Sequence, residues 1–389
     1  MSVFSVTNPL RFRKSELSLK DRFKNISWFY ILIVALIAGI GFVTLYSVAN
    51  GSMEPWAKRQ LVRFAFGVGV IVFIAMTDLR VWIRYAYVLY TLVLLLLIYV
   101  ELFGHDAMGA QRWINLGFIQ LQPSELMKIA LVLALARFFH GTSLHENENL
   151  KTLIVPLILV AMPVILVMKQ PDLGTAVMLS ISAGVVFFLV GVQIWKFGVV
   201  GLLGLLSLPI AWNFFLHDYQ KQRVLTFLDP EKDPLGAGYH IIQSHITLGS
   251  GSLFGKGFLQ GTQSRLNFLP EKHTDFIFTV FAEEFGMMGA FFLLALYVLL
   301  IIFGFYIALR CTSFFGKLLA LGLTANLFFY VFINVAMVMG LVPVVGVPLP
   351  LISYGGTAML THMISFGLIQ CVYVNKDIPM GRSGAAPEN

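Results

Sequence analysis

The sequence predicts an all-α fold, a polytopic membrane bundle of about ten helices with one long extracytoplasmic loop. Composition is the first observation behind it. Of 389 residues, 58% are apolar and 12% charged, where a soluble domain carries about 25% charged residues. The mean hydropathy of +0.82 agrees. The second observation is a succession of apolar runs, each about 20 residues long, which matches the thickness of a bilayer core. The third is where the ionisable residues sit: they collect at the ends of these runs instead of along their middles, as the cost of burying charge in lipid requires.

The runs in order are Trp28 to Val48, Leu61 to Met76, Trp82 to Val100, Ser124 to Phe139, Thr152 to Met168, Gly174 to Trp195, Phe197 to Leu216, Phe276 to Leu309, Leu318 to Gly340 and Gly356 to Val374. The eighth is too long for one perpendicular crossing, so it should tilt, bend near Gly286 and Gly289, or extend into water. A single membrane domain over 28–375 follows, with tails 1–27 and 376–389 and no separate soluble catalytic domain. Cys311 and Cys371 lie near the ends of apolar runs and read as ordinary bilayer residues, not as a disulfide.

An even number of crossings puts both termini on one side. The tail before Trp28 carries Arg11, Arg13, Lys14, Lys20, Arg22 and Lys24 without a cleavable signal ahead of it, which makes that side the cytoplasm. Arg80, Arg84, Arg137, Lys151, Lys196, Arg310, Lys317, Lys376 and Arg382 then fall inside as well. Several basic residues remain outside, against the usual bias: Arg112, Lys128, Lys169, Lys221, Arg223, Lys232, Lys256, Arg265 and Lys272. They suit an anionic ligand on the outer face, or pair with the local acids Asp218, Asp229, Glu231, Asp233 and Glu271. Lys58, Arg59 and Arg63 are also outside, with no functional reading from sequence.

The segment His217 to Thr274 is the one long connection. Its Gly and Pro residues suit a structured, partly re-entrant cover, and Tyr239 to Leu248 has the makings of a short interfacial helix. The Gly-rich stretch Gly249 to Gly257 resembles a phosphate cradle only loosely, lacking both the Walker spacing and a preceding strand. The connection ends in NFLPEKHTDFIFTVFAEEFG, which brings Glu271, Lys272, His273 and Asp275 to the lip of an apolar run containing Glu283 and Glu284. Such charges line a cavity or find partners, because each costs about 2.5 to 3.5 kcal/mol to insert at bilayer depth. The plainer alternative is a water boundary.

Two other motifs carry charge. In QPSELMK, Pro123 suits a first helical turn, and Glu125 and Lys128 stand at i, i+3, where they can neutralise each other within an apolar helix. In KQPDLGTA, Lys169, Gln170 and Asp172 flank Pro171 in an outer turn. The eight His form no metal-binding pair at helical spacing, although His273 and Asp275 could share an ion.

The segments GAQRWINLGFIQLQPSELMKIA, KQPDLGTA, HDYQKQRVLTFLDPEKDPLGAGYHIIQSHI, GTQSRLNFLPEKHTDFIF and LVPVVGVPLPLISYGGTAML closely resemble the SEDS family of shape, elongation, division and sporulation proteins. The resemblance runs from Trp28 to Val374, and GTQSRLNFLPEKHTDFIF is closer to the RodA branch than to FtsW. It implies ten helices with both ends cytoplasmic, in the bacterial inner membrane. It implies a peptidoglycan glycosyltransferase that polymerises lipid II into glycan strands outside that membrane, beside a class B penicillin-binding protein and other proteins of the elongation complex. Nucleic acid is not among the expected partners.

The resemblance also places the family's essential aspartate on Asp275, here assigned as general base toward the attacking sugar hydroxyl. A divalent cation beside Asp275 is an alternative support for the pyrophosphate. Arg112, Arg265 and Lys272 are the candidates to hold that leaving group, with Lys128 positioning Glu125. Trp113, Gln122, His240, Gln243 and Ser244 are expected to touch sugar or pack the loop. Lys169, Asp172 and His273 complete the expected substrate-binding set. Three alternatives are a lipid II flippase, a noncatalytic scaffold for a penicillin-binding protein, and an ion or solute transporter. The last is disfavoured by the absence of an inverted repeat in the sequence.

Overall fold

The computed structural model describes residues 18–103, 105–107, 110–115, 120–215, 218–232, 237–266, 268, 271–378 and 380–381. Arg11, Arg13, Lys14, His217, Asp233 and Arg382 lie outside the described residues. A short α1 (Leu19–Lys24) leads into α2 (Trp28–Val48), α3 (Ala57–Ala75), α4 (Leu79–Phe103), α5 (Pro123–His140), a five-residue α6 (Leu144–Glu148), α7 (Leu150–Lys169), α8 (Leu173–Leu189) and α9 (Ile194–Ile210). The long connection holds α10 (Asp218–Leu228), α11 (Ala237–Ser250) and α12 (Thr262–Arg265), and α13 (Ile277–Arg310), α14 (Phe314–Val338) and α15 (Gly356–Val374) follow.

A helix stands at each of the ten predicted runs. Seven are long and apolar enough to cross a membrane by length and composition: α2, α4, α7, α9 with its extension to Phe214, α13, α14 and α15. Helix α8 is apolar but shorter. Helix α3 starts earlier than its apolar run and carries Lys58, Arg59 and Arg63 in its first two turns. Helix α5 contains Glu125, Lys128 and Arg137, yet nearly all its side chains are buried against other helices. Polar groups are tolerated there because they meet protein and not lipid.

Helices α5, α14 and α15 form the centre, and α2, α3, α4, α8 and α13 surround them. The α3–α15 contact is close because small residues face large ones: Gly67 on α3 meets Met363, and Gly367 on α15 meets Ile71 and Ile74. Small residues let helix backbones approach where the hydrophobic effect gives no drive for association. At the rim, α9 buries none of its 17 residues, and Leu202, Leu203, Leu205 and Leu206 are all exposed. Outer faces so apolar suit a bilayer and no aqueous surface.

The sequence reading departs from the structure in three places. A small antiparallel sheet, order β1–β2–β3, is formed by His105–Ala107, Ala110–Asn115 and Gln120–Leu121, where no strand was expected; strands this short carry no readable period. Helix α8 ends at Leu189, before the predicted Trp195, because Gly191 turns the chain with φ +88°. Helix α9 passes into a π-helical turn over Ala211–Phe215, just after Pro209, a residue that removes a ladder hydrogen bond.

Helix α13 is interrupted at Gly286, with φ +67° and ψ −169°, the bend anticipated from its length. The break leaves helical carbonyls and amides without partners, and the Gly-rich stretch supplies them. The amides of Lys256 and Gly257 donate to the carbonyls of Glu283 and Glu284 at 3.0 Å each, and the amides of Met287 and Met288 donate to the carbonyls of Ser252 and Leu253 at 3.0 and 3.1 Å. Gly255 adopts φ +80°, and a Cβ there would collide with the Glu284 carbonyl. This stretch is therefore a splint for a broken helix.

Candidate functional site

Asp275 sits at the mouth of the bundle, between a turn that begins at Glu271 and the first residue of α13. The carbonyls of the three residues leading into α13 are each held from elsewhere. The amide of Tyr354 donates to the His273 carbonyl at 2.9 Å, Ser353 Oγ to Thr274 at 2.7 Å, and Asn334 Nδ2 to Asp275 at 3.0 Å. Gly346, at φ +73°, brings its backbone so close that a Cβ would lie 3.6 Å from Asp275 Oδ2. Burial pushes the Asp275 carboxyl up to about 6; the negative charge of Glu271 adds to the rise, and Arg223 opposes it. Arg223 is tethered by Nη1 donating to the Val344 carbonyl at 3.3 Å.

Around this carboxylate the predicted residues fall into two groups. Lys272, His273 and His240 are near it. Lys272 and His273 are half-buried, and burial lowers the pKa of both. His273 stacks on Trp56 with ring centroids 4.7 Å apart and meets Tyr354 at 6.1 Å. His240 lies parallel to the ring of Phe276 at 6.1 Å, and burial lowers its pKa as well. Ser244 is buried and donates to the Val338 carbonyl at 2.8 Å, 3.2 Å from Thr279 Oγ1. It thus packs the connection onto α13 and α14. Gln243, one residue before, is half-buried on the same helix, α11.

Arg112, on β2, reaches the turn between α7 and α8. Its Nε and Nη2 donate to the carbonyls of Gln170 and Pro171 at 3.2 and 2.5 Å, and Nε lies 3.9 Å from Asp172 Oδ2. Asp172 in turn caps α8, accepting from Thr175 N at 3.2 Å and Thr175 Oγ1 at 2.9 Å. Trp113 is half-buried beside Arg112, Gln122 is the N-cap of α5, and Lys169 is exposed. Arg265 is exposed at the end of α12, on a shallow hollow of about 430 Å³ shared with Gln260, Gly261, Thr262 and Leu266.

Glu125 and Lys128 form a buried pair at 2.6 Å. Tyr330 joins it, donating to Glu125 Oε2 at 2.6 Å and accepting from Lys128 Nζ. His362 packs edge-on against Tyr330 at 4.7 Å. Tyr330 and Asn334 are one turn apart on α14 and share a face, so a single helix reaches both the ion pair and Asp275. Glu283 and Glu284, grouped with Asp275 by sequence, are engaged elsewhere. Glu283 accepts from Lys256 Nζ at 2.7 Å and from Gln263 N at 3.0 Å, and Glu284 accepts from Ser47 Oγ.

Sequence reasoning did not single out Trp56, Asn334, Ser353 or Tyr354, and it placed Arg223 only among the basic residues suited to an anionic ligand. The first four come from three distant segments, and the signal that could have found Ser353 and Tyr354 is the Gly and Pro density of the run Pro343 to Gly356, which marks irregular backbone. Among the described residues no three or more His, Cys, Asp or Glu groups converge for a metal. A divalent cation at Asp275 would therefore draw most of its shell from diphosphate and water, as magnesium commonly does.

Fold and site together define a multi-pass helical membrane protein with a desolvated carboxylate at one end of its bundle. The chain belongs to the FtsW, RodA and SpoVE family of cell cycle proteins, whose model matches residues 27–378. It is 46% identical over 346 residues to the peptidoglycan glycosyltransferase MrdB of Escherichia coli (strain K12), covering 89% of this chain and 93% of that one. It is 35% identical to MrdB of Helicobacter pylori (strain ATCC 700392 / 26695), with 88% of each chain covered. Among solved structures it resembles the rod shape determining protein RodA of Thermus thermophilus, with TM-score 0.69, 30% identity, and 90% of this chain and 98% of that one covered. It also resembles a chain from a peptidoglycan synthase complex studied for its coordination of polymerization and crosslinking, with TM-score 0.77, 33% identity and the same coverage.

Proposed function

We infer that this protein is a peptidoglycan glycosyltransferase that polymerises lipid II into glycan strands during cell elongation, with Asp275 as its general base. The observation that carries the chemistry is a carboxylate set into the lip of the bundle beside the backbone of Gly346, where burial raises it to about 6. Chain extension joins the 4-hydroxyl of one lipid-tethered sugar to the anomeric carbon of another, and the polyprenyl pyrophosphate leaves. A base takes the hydroxyl proton, and its pKa should lie near the working pH. Asp275 meets this better than an ordinary exposed aspartate, because burial raises its affinity for the proton.

Lys272 stands three residues from the base, and Arg265 closes the preceding loop; both supply fixed positive charge for the departing pyrophosphate. Arg112 adds charge while bracing the turn that holds Asp172, with Lys169 exposed beside it. Trp113, Gln122, His240, Gln243 and His273 line the approach for the sugars or hold the cover, and Ser244 pins that cover to the bundle. The buried pair Glu125–Lys128 sets the register of α14 beneath the site. In the alternative role, Asp275 would hold a divalent cation that neutralises pyrophosphate charge, and it would then act as a ligand in place of the base.

All ten helices of the predicted runs then make up the membrane domain over 28–375, with both tails in the cytoplasm and the connection 217–275 outside. The basic residues at the inner helix ends support this orientation. The partner is a class B penicillin-binding protein within the elongation complex. The topology is tested with a single Cys introduced near Gly261, at the exposed Gln260, in a background lacking Cys311 and Cys371. Labelling by an impermeant thiol reagent in intact spheroplasts is expected, and labelling only after the cytoplasmic side is opened would reverse the orientation.

A rate profile against pH tests the base. Asp275 acts deprotonated, so polymerisation should rise through about pH 6 and level off above it. Activity at pH 5 should be about tenfold below the plateau. A rate independent of pH between 5 and 8, with substrate saturating and the protein folded throughout, would remove Asp275 from that role.

A further inference from the structure

The three carbonyls before α13 point to a residue that acts on the base without touching substrate, an inference that rests on Asp275 being that base. From Phe276 onward the carbonyls serve helix α13: the amides of Thr279 and Val280 both donate to Phe276 O. The Asp275 carbonyl is the first one outside this ladder, and helix α13 has no side-chain cap at Phe276. Its partner is therefore a matter of tertiary structure. Asn334 meets the need from α14 with one fully buried amide, whose Nδ2 donates to Asp275 O at 3.0 Å and to Val347 O at 2.7 Å.

That fork ties the base to the segment that surrounds it. Val347 follows Gly346, whose backbone faces the Asp275 carboxylate. The same segment supplies Ser353 and Tyr354 to the two preceding carbonyls, and Ser353 Oγ itself accepts from Leu349 N at 2.7 Å. Asn334 Oδ1 is buried and has no hydrogen-bond partner in the structure. Buried amides are normally satisfied at both ends, so this one is placed for what its NH₂ group does. An ionised aspartate here would keep the shape and lose both donors, and a protonated one would keep a single donor for two carbonyls.

We propose that Asn334 is a positioning residue for glycan polymerisation, fixing the backbone of Asp275 against the 346–354 segment so that the carboxylate meets the attacking hydroxyl. The groups around that carboxylate are Glu271, Lys272 and His273 in its own turn, Arg223 on α10, and His240 on α11 beside Phe276. Asn334 adds no charge to this set.

The test uses the full-length protein with a transpeptidase partner whose catalytic serine is removed, and follows lipid II polymerisation across substrate concentration and pH. For Asn334→Ala, kcat per folded molecule should fall about tenfold or more, since small misplacements of a reacting group are costly. KM should stay within about twofold, because Asn334 makes no substrate contact. For Asn334→Asp, the acid limb of the profile should also move to higher pH, because a second carboxylate disfavours ionisation of Asp275. A purely structural role would lower the yield of folded protein and leave kcat and the acid limb in place. Should Asn334→Ala not fold, Asn334→Ser keeps one donor and Ser353→Ala frees the neighbouring carbonyl; both should show a reduced kcat at unchanged KM. Normal kcat in the folded variants, or a KM that rises as much as kcat falls, overturns the proposal. Asp275→Asn is the control for the underlying reading: if it polymerises normally the base assignment fails, and if it is inactive while Asn334→Ala is normal only the positioning role fails.

Discussion

Replacing Asp275 with Asn should abolish glycan polymerisation while leaving the protein folded in the membrane. The amide keeps the size and polarity of the side chain, and the backbone bonds from Asn334, Ser353 and Tyr354 all end on main-chain carbonyls that the substitution does not alter. What disappears is the ability to take a proton. Loss of a general base lowers a rate by about 10²- to 10⁴-fold, which would leave polymerisation at the background of the assay. The comparison needs equal amounts of folded protein, judged by thermal stability in detergent and by retention of the partner. Full glycan synthesis by Asp275→Asn would sink the assignment, and unfolding of the variant would give the side chain a structural role that its contacts do not suggest.

The second large effect is expected at Glu125 and Lys128. Both side chains are nearly inaccessible, at 6% and 3% exposure, and Tyr330 contacts both. Neutralising either residue alone leaves a buried charge without its counterion, which costs about 3–5 kcal/mol. The swapped double variant, Glu125→Lys with Lys128→Glu, should recover part of that loss. Recovery stays partial because Glu125 occupies the first turn of α5, where the helix dipole favours an anion over a cation. A double-mutant cycle on stability in detergent should give a coupling of about 0.5–3 kcal/mol. Zero coupling would mean that the two residues do not act as a pair, and that α14 is held in register by something else.

Much of this was legible in the chain because local chemistry produced it. Apolar runs of bilayer length became helices, Glu125 and Lys128 met across one helical turn, and the crowding of Glu271, Lys272, His273 and Asp275 marked the mouth of the bundle. What stayed hidden depends on approach in space. Nothing near Asn334 in sequence indicates that its amide serves Asp275, 59 positions earlier. Trp56 looks like an interfacial aromatic until His273 stacks on it. The run Gly249 to Gly257 offered a phosphate cradle as one reading, and only the break at Gly286 explains why its glycines are needed. Glu283 and Glu284 show the converse: adjacent to the motif in sequence, they turn toward Lys256 and Ser47 because a helix sends successive side chains to different faces.

The most direct test of polymerase activity is the purified protein, alone and with its transpeptidase partner carrying a serine-to-alanine change, given lipid II in detergent or vesicles. Long uncrosslinked glycan strands should form, faster with the partner than without it, because a partner that prefers the active arrangement of the long connection raises its population. The strands should vanish with Asp275→Asn. Transfer of lipid II across the vesicle membrane with no strand formed under any of these conditions would contradict the account and make the protein a flippase.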